Sequence, residues 1–164
     1  MKRRTKTTRI VLHHSESPGG NADFIKAIHL QNGWADIGYH YIILNGKDHG
    51  DWQGGRDGDI EPGRDLALQG AHARGANADS VGICLIGSLM EKMPTAFQIG
   101  SLIRLCADLC IAYDLDPLEA IIGHRDVCST DCPGDNFYTV LMPPTKMLQY
   151  AVKWRIRMME GGEK

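Results

Sequence analysis

The sequence predicts one α/β domain, a central mixed β-sheet of about five to six strands flanked by helices. Three observations lead there. Short, β-rich apolar runs alternate with stretches of helical period along the whole chain. One strand-like run, Tyr39 to Leu44, is followed by Asn45-Gly46, a hairpin signal that adds an antiparallel pair to an alternation otherwise typical of parallel strands. Finally, 164 residues with 43% apolar and 23% charged side chains suit a single core that needs no staple.

Taken in order, residues 1–7 read as a loose tail, and Thr8 to His13 as a short buried strand. His14 to Gly20 is a loop. Asn21 is placed to cap a helix over Ala22–Gln31, with Phe24, Ile25, Ile28 and Leu30 as its apolar surface, and Asn32-Gly33 ends it. Tyr39 to Leu44 is the next strand, and the hairpin signal calls for a partner through about Trp52. Residues 53–80 are polar and glycine-rich without a sustained period, a loop long enough to be functional or to contain unrecognised turns of helix. Val81 to Ile86 is another buried strand. Thr95 and Gln98 make a capping box for a long helix ending near Tyr113, its broad apolar face including Ile99, Leu102, Cys106 and Leu109. Ala120 to Gly123 is a short strand that delivers His124, residues 125–144 form an irregular loop, and Thr145 caps a last helix over about 145–160.

Composition narrows the function. A net charge of −2 leaves no global footprint for nucleic acid, although Met1 to Arg9 carry five positive charges and no acid. The apolar runs are too short for a membrane span, and no signal peptide is visible, so a cytoplasmic chain is expected. The five cysteines agree: an odd number, with Cys84, Cys106 and Cys110 in apolar surroundings that suggest buried thiols. A monomer without nucleic-acid partner or stable membrane association follows. Lys153, Arg155 and Arg157 beside Trp154 on the last helix read as a solvated face rather than a membrane anchor.

The chemistry concentrates in G-H-R-D-V-C-S-T-D-C-P-G, residues 123–134. His124 and Cys132 are eight residues apart, and His13 ends the first strand. Two histidines and a thiolate on rigid positions suit zinc, whose catalytic sites use three protein ligands and keep a position open. Spacing alone leaves two alternatives open: a core histidine with an inert loop thiol, or a Cys128–Cys132 disulfide.

Six segments resemble the type-2 N-acetylmuramoyl-L-alanine amidases, a family that includes phage lysins and animal peptidoglycan recognition proteins. They are I-V-L-H-H-S at 10–15, G-W-A-D-I-G-Y-H-Y-I-I at 33–43, E-P-G-R-D at 61–65, G-A-H-A-R-G-A-N at 70–77, S-V-G-I-C-L-I-G at 80–87, and G-H-R-D-V…T-D-C-P-G at 123–134. They occur in family order and leave out only the N-terminal tail and the last helix, and the likeness is tightest to the phage endolysins.

The resemblance implies zinc held by His13, His124 and Cys132, with His14 outside the set, and Tyr39 as the catalytic tyrosine. At Thr130 the phage lysins carry a lysine, whereas amidase-active recognition proteins carry threonine, so Thr130 is expected to share in catalysis. His72 is expected near the zinc, either at the active site or as a structural hydrogen bond. Arg64 and Asn77 are weaker substrate-binding candidates: Arg64 offers a bidentate fork for a carboxylate, or a surface pair with Asp65. His40 should point away from Tyr39 and be structural. His29 and His49 carry no signal. Trp34 and Trp52 could line a sugar cleft, with core packing favoured.

The implied activity is hydrolysis of the lactyl–L-alanine amide of peptidoglycan by a phage or prophage endolysin that waits in the host cytoplasm and reaches the periplasm or wall after holin release. Alternatives are a cytosolic muropeptide-recycling amidase, a non-catalytic peptidoglycan-binding module, and a regulator contacting RNA polymerase through the N-terminus.

Overall fold

The computed structural model describes residues 1–48 and 51–161, with every side chain among them except those of residues 48 and 51–55. The expected α/β architecture is present as a five-stranded mixed sheet. β1 (Arg9–His14), β2 (Tyr41–Asp48), β3 (Asp51–Pro62), β4 (Ser80–Leu85) and β5 (Ile121–Gly123) are ordered β3-β2-β4-β1-β5. Only the β2–β3 pair is antiparallel; β2–β4, β4–β1 and β1–β5 are parallel. The parallel strands therefore finish along one edge, and the site is built there.

Side chains alternate along each strand. In β1, Ile10 and Leu12 enter the main core, while Val11 packs on the other face with Ala73 and Ala76. The first face is covered by α2 (Ala96–Tyr113) and α5 (Met147–Gly161). Thr95 and Gln98 form the expected capping box, and Gln98 does more: its Nε2 donates to the carbonyls of Ile43 (3.0 Å) and Ile86 (2.9 Å), tying α2 to β2 and the end of β4. Gln149 of α5 likewise donates to Ile121 O of β5 at 3.0 Å. α2 is long and apolar enough to cross a bilayer by composition, but its apolar face is this core. α1 (Ala22–Gln31), capped by Asn21 as expected, lies on the second face and buries Ile25 and His29, while Ile28 and Leu30 stay largely exposed.

Several expectations are corrected. Asn45-Gly46 is not the hairpin turn. It lies inside β2, where Gly46 takes φ +72° and the ladder shifts register on both sides of Asn45. Residues 49–50, which include His49, lie outside the described residues. β3 then runs to Pro62, so residues 53–62 are strand rather than loop; Ile60 pairs with Ile43 and packs on the core.

Residues 125–144 are also more regular than expected. They include a 3₁₀ turn at His124–Asp126 and α4 (Asp135–Leu141), anchored by buried Phe137. α4 starts at Gly134, with φ +100°, where a Cβ would lie 2.4 Å from the Leu89 carbonyl. Thr145 does not cap α5; its hydroxyl donates to the carbonyls of Val140 and Met142 at the end of α4. A short α3 (Pro117–Ala120), capped by Asp116, precedes β5.

The N-terminal tail, expected to be loose, is tied down. Arg3 bridges Leu68, Arg4 N–H donates to Ala67 O, and the Arg4 guanidinium reaches Leu66 O and the Tyr113 hydroxyl. Arg9 pairs with Asp79 at 2.7 Å. Two of the tail's five cations thus have internal partners.

Candidate active site

Alternation in β1 sends His13 to the Val11 face and His14 to the other. His14 Nδ1 accepts the Leu89 N–H at 3.1 Å, outside the cluster, as expected. β5 ends at Gly123, so His124 leaves the sheet one strand away from His13. The two imidazole centroids are 4.5 Å apart.

The loop after His124 returns Cys132 to the same point through local bonds. Arg125 N–H donates to Cys132 O at 3.0 Å, and the amides of Val127 and Cys128 both donate to His124 O. The Asp126 carboxylate accepts the Gly123 N–H (2.7 Å) and the Tyr138 hydroxyl (2.5 Å). Arg125 lies over the Tyr138 ring and pairs with Asp135. Cys132 N–H donates to Thr130 Oγ1 at 3.2 Å.

The ligand atoms of His13, His124 and Cys132 consequently all lie within 4.8 Å of one another, and Cys132 Sγ is 3.5 Å from His13 Nδ1. A tetrahedral ion with bonds of about 2.0–2.3 Å holds its donors roughly 3.3–3.8 Å apart. The donor set fits zinc in type, and the Cys132–His13 separation falls in this range. Burial lowers the pKa of His13 and His124, which keeps their lone pairs free for a cation. Burial pushes the Cys132 thiol up to about 12, against the opposing effect of the His14 backbone N–H. A thiol so placed ionises readily only beside a cation. Cys128 is a free thiol directed at Arg74 O, and no disulfide to Cys132 forms.

Tyr39 precedes β2, with its ring centroid 5.0 Å from that of His13. Burial, then the neighbouring Cys84 and Cys132, raise its pKa well above 10.0, so the phenol is a proton-bearing donor at neutral pH. His72 also reaches the cluster: its Nδ1 is 3.0 Å from His13 Nε2.

Arg64 and Asn77 do not face the site. The Arg64 guanidinium, 7% exposed, donates to the carbonyls of Ile37 (2.7 Å), Gln69 (2.8 Å) and Asp36 (3.3 Å), holding the segment that leads to Tyr39. Asn77 Oδ1 accepts the backbone N–H of His72 and Ala73. His40 is structural as expected: Nδ1 accepts the Gly82 N–H and Nε2 donates to Leu68 O. Trp34 is 42% exposed and stacks on His29 with centroids 4.4 Å apart, so it is not a core residue; the Trp52 side chain lies outside the described residues.

Two residues without a sequence signal belong to this region. His29 accepts the Gly38 N–H and lies 5.4 Å from the Tyr39 ring. Cys84 is level with His13 in the parallel register, and its buried thiol meets Tyr39. Matching the period-2 alternation of the two strands would have put Cys84 on the His13 face. The lining of a cleft of about 630 Å³, which includes Glu16, Lys47, Met90 and Thr95, contains none of His13, Tyr39, His72, His124 and Cys132.

A sheet whose strand ends and flanking loops gather two histidines, a cysteine and a tyrosine phenol defines an α/β protein with a candidate hydrolytic metal site. The comparisons with known proteins narrow that class. The N-acetylmuramoyl-L-alanine amidase family matches residues 3–135, and the chain belongs to it. The endolysin of Enterobacteria phage T3 is 36% identical over 140 residues, which cover 80% of this chain and 83% of that one. Peptidoglycan-recognition protein SC2 of Drosophila melanogaster is 35% identical over 115 residues, 70% of this chain and 56% of that one. Among solved structures, the endolysin amidase LysCS from Clostridium intestinale superposes with a TM-score of 0.77 at 32% identity, covering 93% of this chain and 87% of that one. The activity is that of an N-acetylmuramoyl-L-alanine amidase.

Proposed function

We propose that this amidase is zinc-dependent, that it cleaves the lactyl–L-alanine amide of peptidoglycan, and that it acts as a phage or prophage endolysin. The observation that carries the reading is the convergence of His13, His124 and Cys132, from two strand ends and a loop, with their ligand atoms all within 4.8 Å of one another. His13 and His124 would hold the ion through ring nitrogens and Cys132 as a thiolate. When bound, zinc supplies Lewis acidity, lowering the pKa of water toward ~7 and polarising a carbonyl.

Around that centre the protein's own groups bind and orient. Tyr39, protonated because it is buried, donates a hydrogen bond to the oxygen on which charge develops. Thr130 accepts the Cys132 N–H through its oxygen, which leaves its hydroxyl hydrogen for the same task. As a neutral donor it lacks the charge assistance of the lysine found there in phage lysins. Arg64 and Asn77 act behind the site, holding the segments that present Tyr39 and His72.

The endolysin role is supported by the relatives, which include phage endolysins. Such a chain would accumulate in the host cytoplasm and reach the wall once a holin opens the membrane. The test is metal analysis of the purified protein together with release of L-alanine amino groups from intact sacculi. Cys132→Ser is expected to lose both zinc and lysis while keeping the melting profile of the metal-free wild type; lysis surviving in that variant removes the metal reading. Turnover of soluble anhydro-muropeptides without action on sacculi would instead indicate recycling.

A further inference from the structure

The geometry points to His72 as a positioning residue that fixes the tautomer of His13, so that the bare Nδ1 of His13 faces Cys132 and His124. This rests on the metal-site reading above and extends it behind the ligands. The proton order follows from one acceptor that cannot donate. Ser80 Oγ lies 2.6 Å from the Ala76 carbonyl, and a carbonyl only accepts, so the Ser80 hydroxyl hydrogen is committed there. His72 Nε2, 3.4 Å from the same Ser80 oxygen, must then be the donor of that longer bond. A neutral imidazole carries one N–H, so His72 Nδ1 is an acceptor. Its partner at 3.0 Å, His13 Nε2, must therefore carry hydrogen. That leaves the His13 Nδ1 lone pair free on the side of Cys132 Sγ, 3.5 Å away.

Both ring nitrogens of His72 face neutral partners, and the residue is 7% exposed. The ring is also held in place. Asn77 Oδ1 accepts the backbone N–H of His72 and Ala73 at 2.8 and 2.9 Å. Gly70 and Gly82 give the ring its space, since a Cβ on either would lie 2.3 or 2.4 Å from His72 Cδ2. Metal-bound histidines commonly donate their second nitrogen to a carboxylate or a carbonyl. Here a second imidazole takes that part, with Ser80 and the Ala76 carbonyl as the end of the chain. The assignment makes His72 the support of a proposed ligand rather than a group that meets substrate.

The test has two arms on the full-length protein. In the first, ring ¹⁵N NMR of the metal-free wild type reads the tautomers directly; the expected result is protonation of His13 at Nε2 and of His72 at Nε2. His13 protonated at Nδ1 would overturn the proposal, whatever the protein's metal preference. In the second, zinc affinity is measured by chelator competition for the wild type, His72→Phe and His72→Gln. Phe removes the acceptor, and affinity should fall about 10–100-fold. Gln offers a carbonyl oxygen to His13 Nε2–H, and most of the loss should be recovered, an effect that loss of packing alone would not produce. Equal affinity of His72→Phe and wild type refutes the positioning role. A wild type that binds no zinc while showing the expected tautomers refutes the metal reading and leaves the hydrogen-bond order standing.

Discussion

Replacing Gly82 by alanine adds one methyl group, and the structure says where it goes. An ideal Cβ there lies 2.4 Å from Cδ2, 2.5 Å from Cγ and 2.7 Å from Nε2 of His72. Ordinary contact begins at 3.4 Å, so the imidazole must retreat by about 1 Å, the difference between the two distances. A retreat of that size takes the ring off its 3.0 Å bond to His13, beyond useful hydrogen-bond geometry. Overpacking of a filled interior costs about 1–3 kcal/mol. For a chain of this size each kcal/mol moves the melting temperature by about 2–4 °C, so the expected drop is about 2–12 °C. Zinc affinity should fall with it, by about 10–100-fold if the His13 bond is lost. Gly100 provides the control. It lies in α2 with nothing within 4 Å of its Cβ position, and Gly100→Ala should stabilise by about 0.4–1 kcal/mol. Thermal unfolding and chelator competition on both variants suffice. A Gly82→Ala protein that melts and binds zinc like wild type refutes the reasoning, because the methyl would then have found room that the backbone does not offer.

Two further outcomes are expected. Tyr39→Phe should lower kcat on peptidoglycan about 10²–10³-fold, as for loss of one oxyanion donor, with zinc affinity unchanged; an unaltered kcat removes Tyr39 from the chemistry. His40 makes stability depend on pH. Burial lowers its pKa from 6.5 to about 4, so its contribution is complete above pH 6.5 and is lost as the pH falls toward 4, because the unfolded chain takes up the proton first. A shift of this size corresponds to roughly 3 kcal/mol, and urea unfolding of the metal-free protein at pH 7 and pH 4.5 should show most of it. A flat profile across that range would mean that His40 keeps its bonds to Gly82 N–H and Leu68 O when charged, which Nδ1 as an acceptor cannot do.

What could be read from the sequence follows from where the information is held. Ile10–Leu12 and Val81–Ile86 sit in the sheet interior, with neighbours on both faces, and so appear as apolar runs. Caps are local chemistry, and Asn21 and the Thr95/Gln98 box were legible for that reason. β3 was not legible past Trp52. It is an edge strand, its charged and glycine residues hide the alternation, and among its described side chains Ile60 marks its inner side. The tie between residues 2–4 and 67–69 is made largely by backbone groups, which leave no side-chain pattern. The partners of Arg64 were hidden for a related reason: they are the carbonyls of Ile37, Asp36 and Gln69, and a guanidinium surrounded by carbonyls looks the same in sequence as one awaiting a carboxylate.

The stretch from Gly70 to Gly82 shows how a motif can be specific without most of it touching substrate. Asn77 fixes the backbone at His72 and Ala73. Ala73 and Ala76 pack under Val11, where a larger side chain would push the turn off the sheet. Ser80 Oγ accepts the His72 Nε2–H and donates its own hydroxyl to Ala76 O. Gly70 and Gly82 clear the space in which the His72 ring lies. Asn77, Ser80, Gly70 and Gly82 act on one imidazole, and that imidazole acts on His13. The chemistry needs His13 to offer Nδ1 on one side of its ring; the bond order behind it accounts for a histidine, a serine, an asparagine and two glycines whose identities neither apolar period nor turn propensity explains.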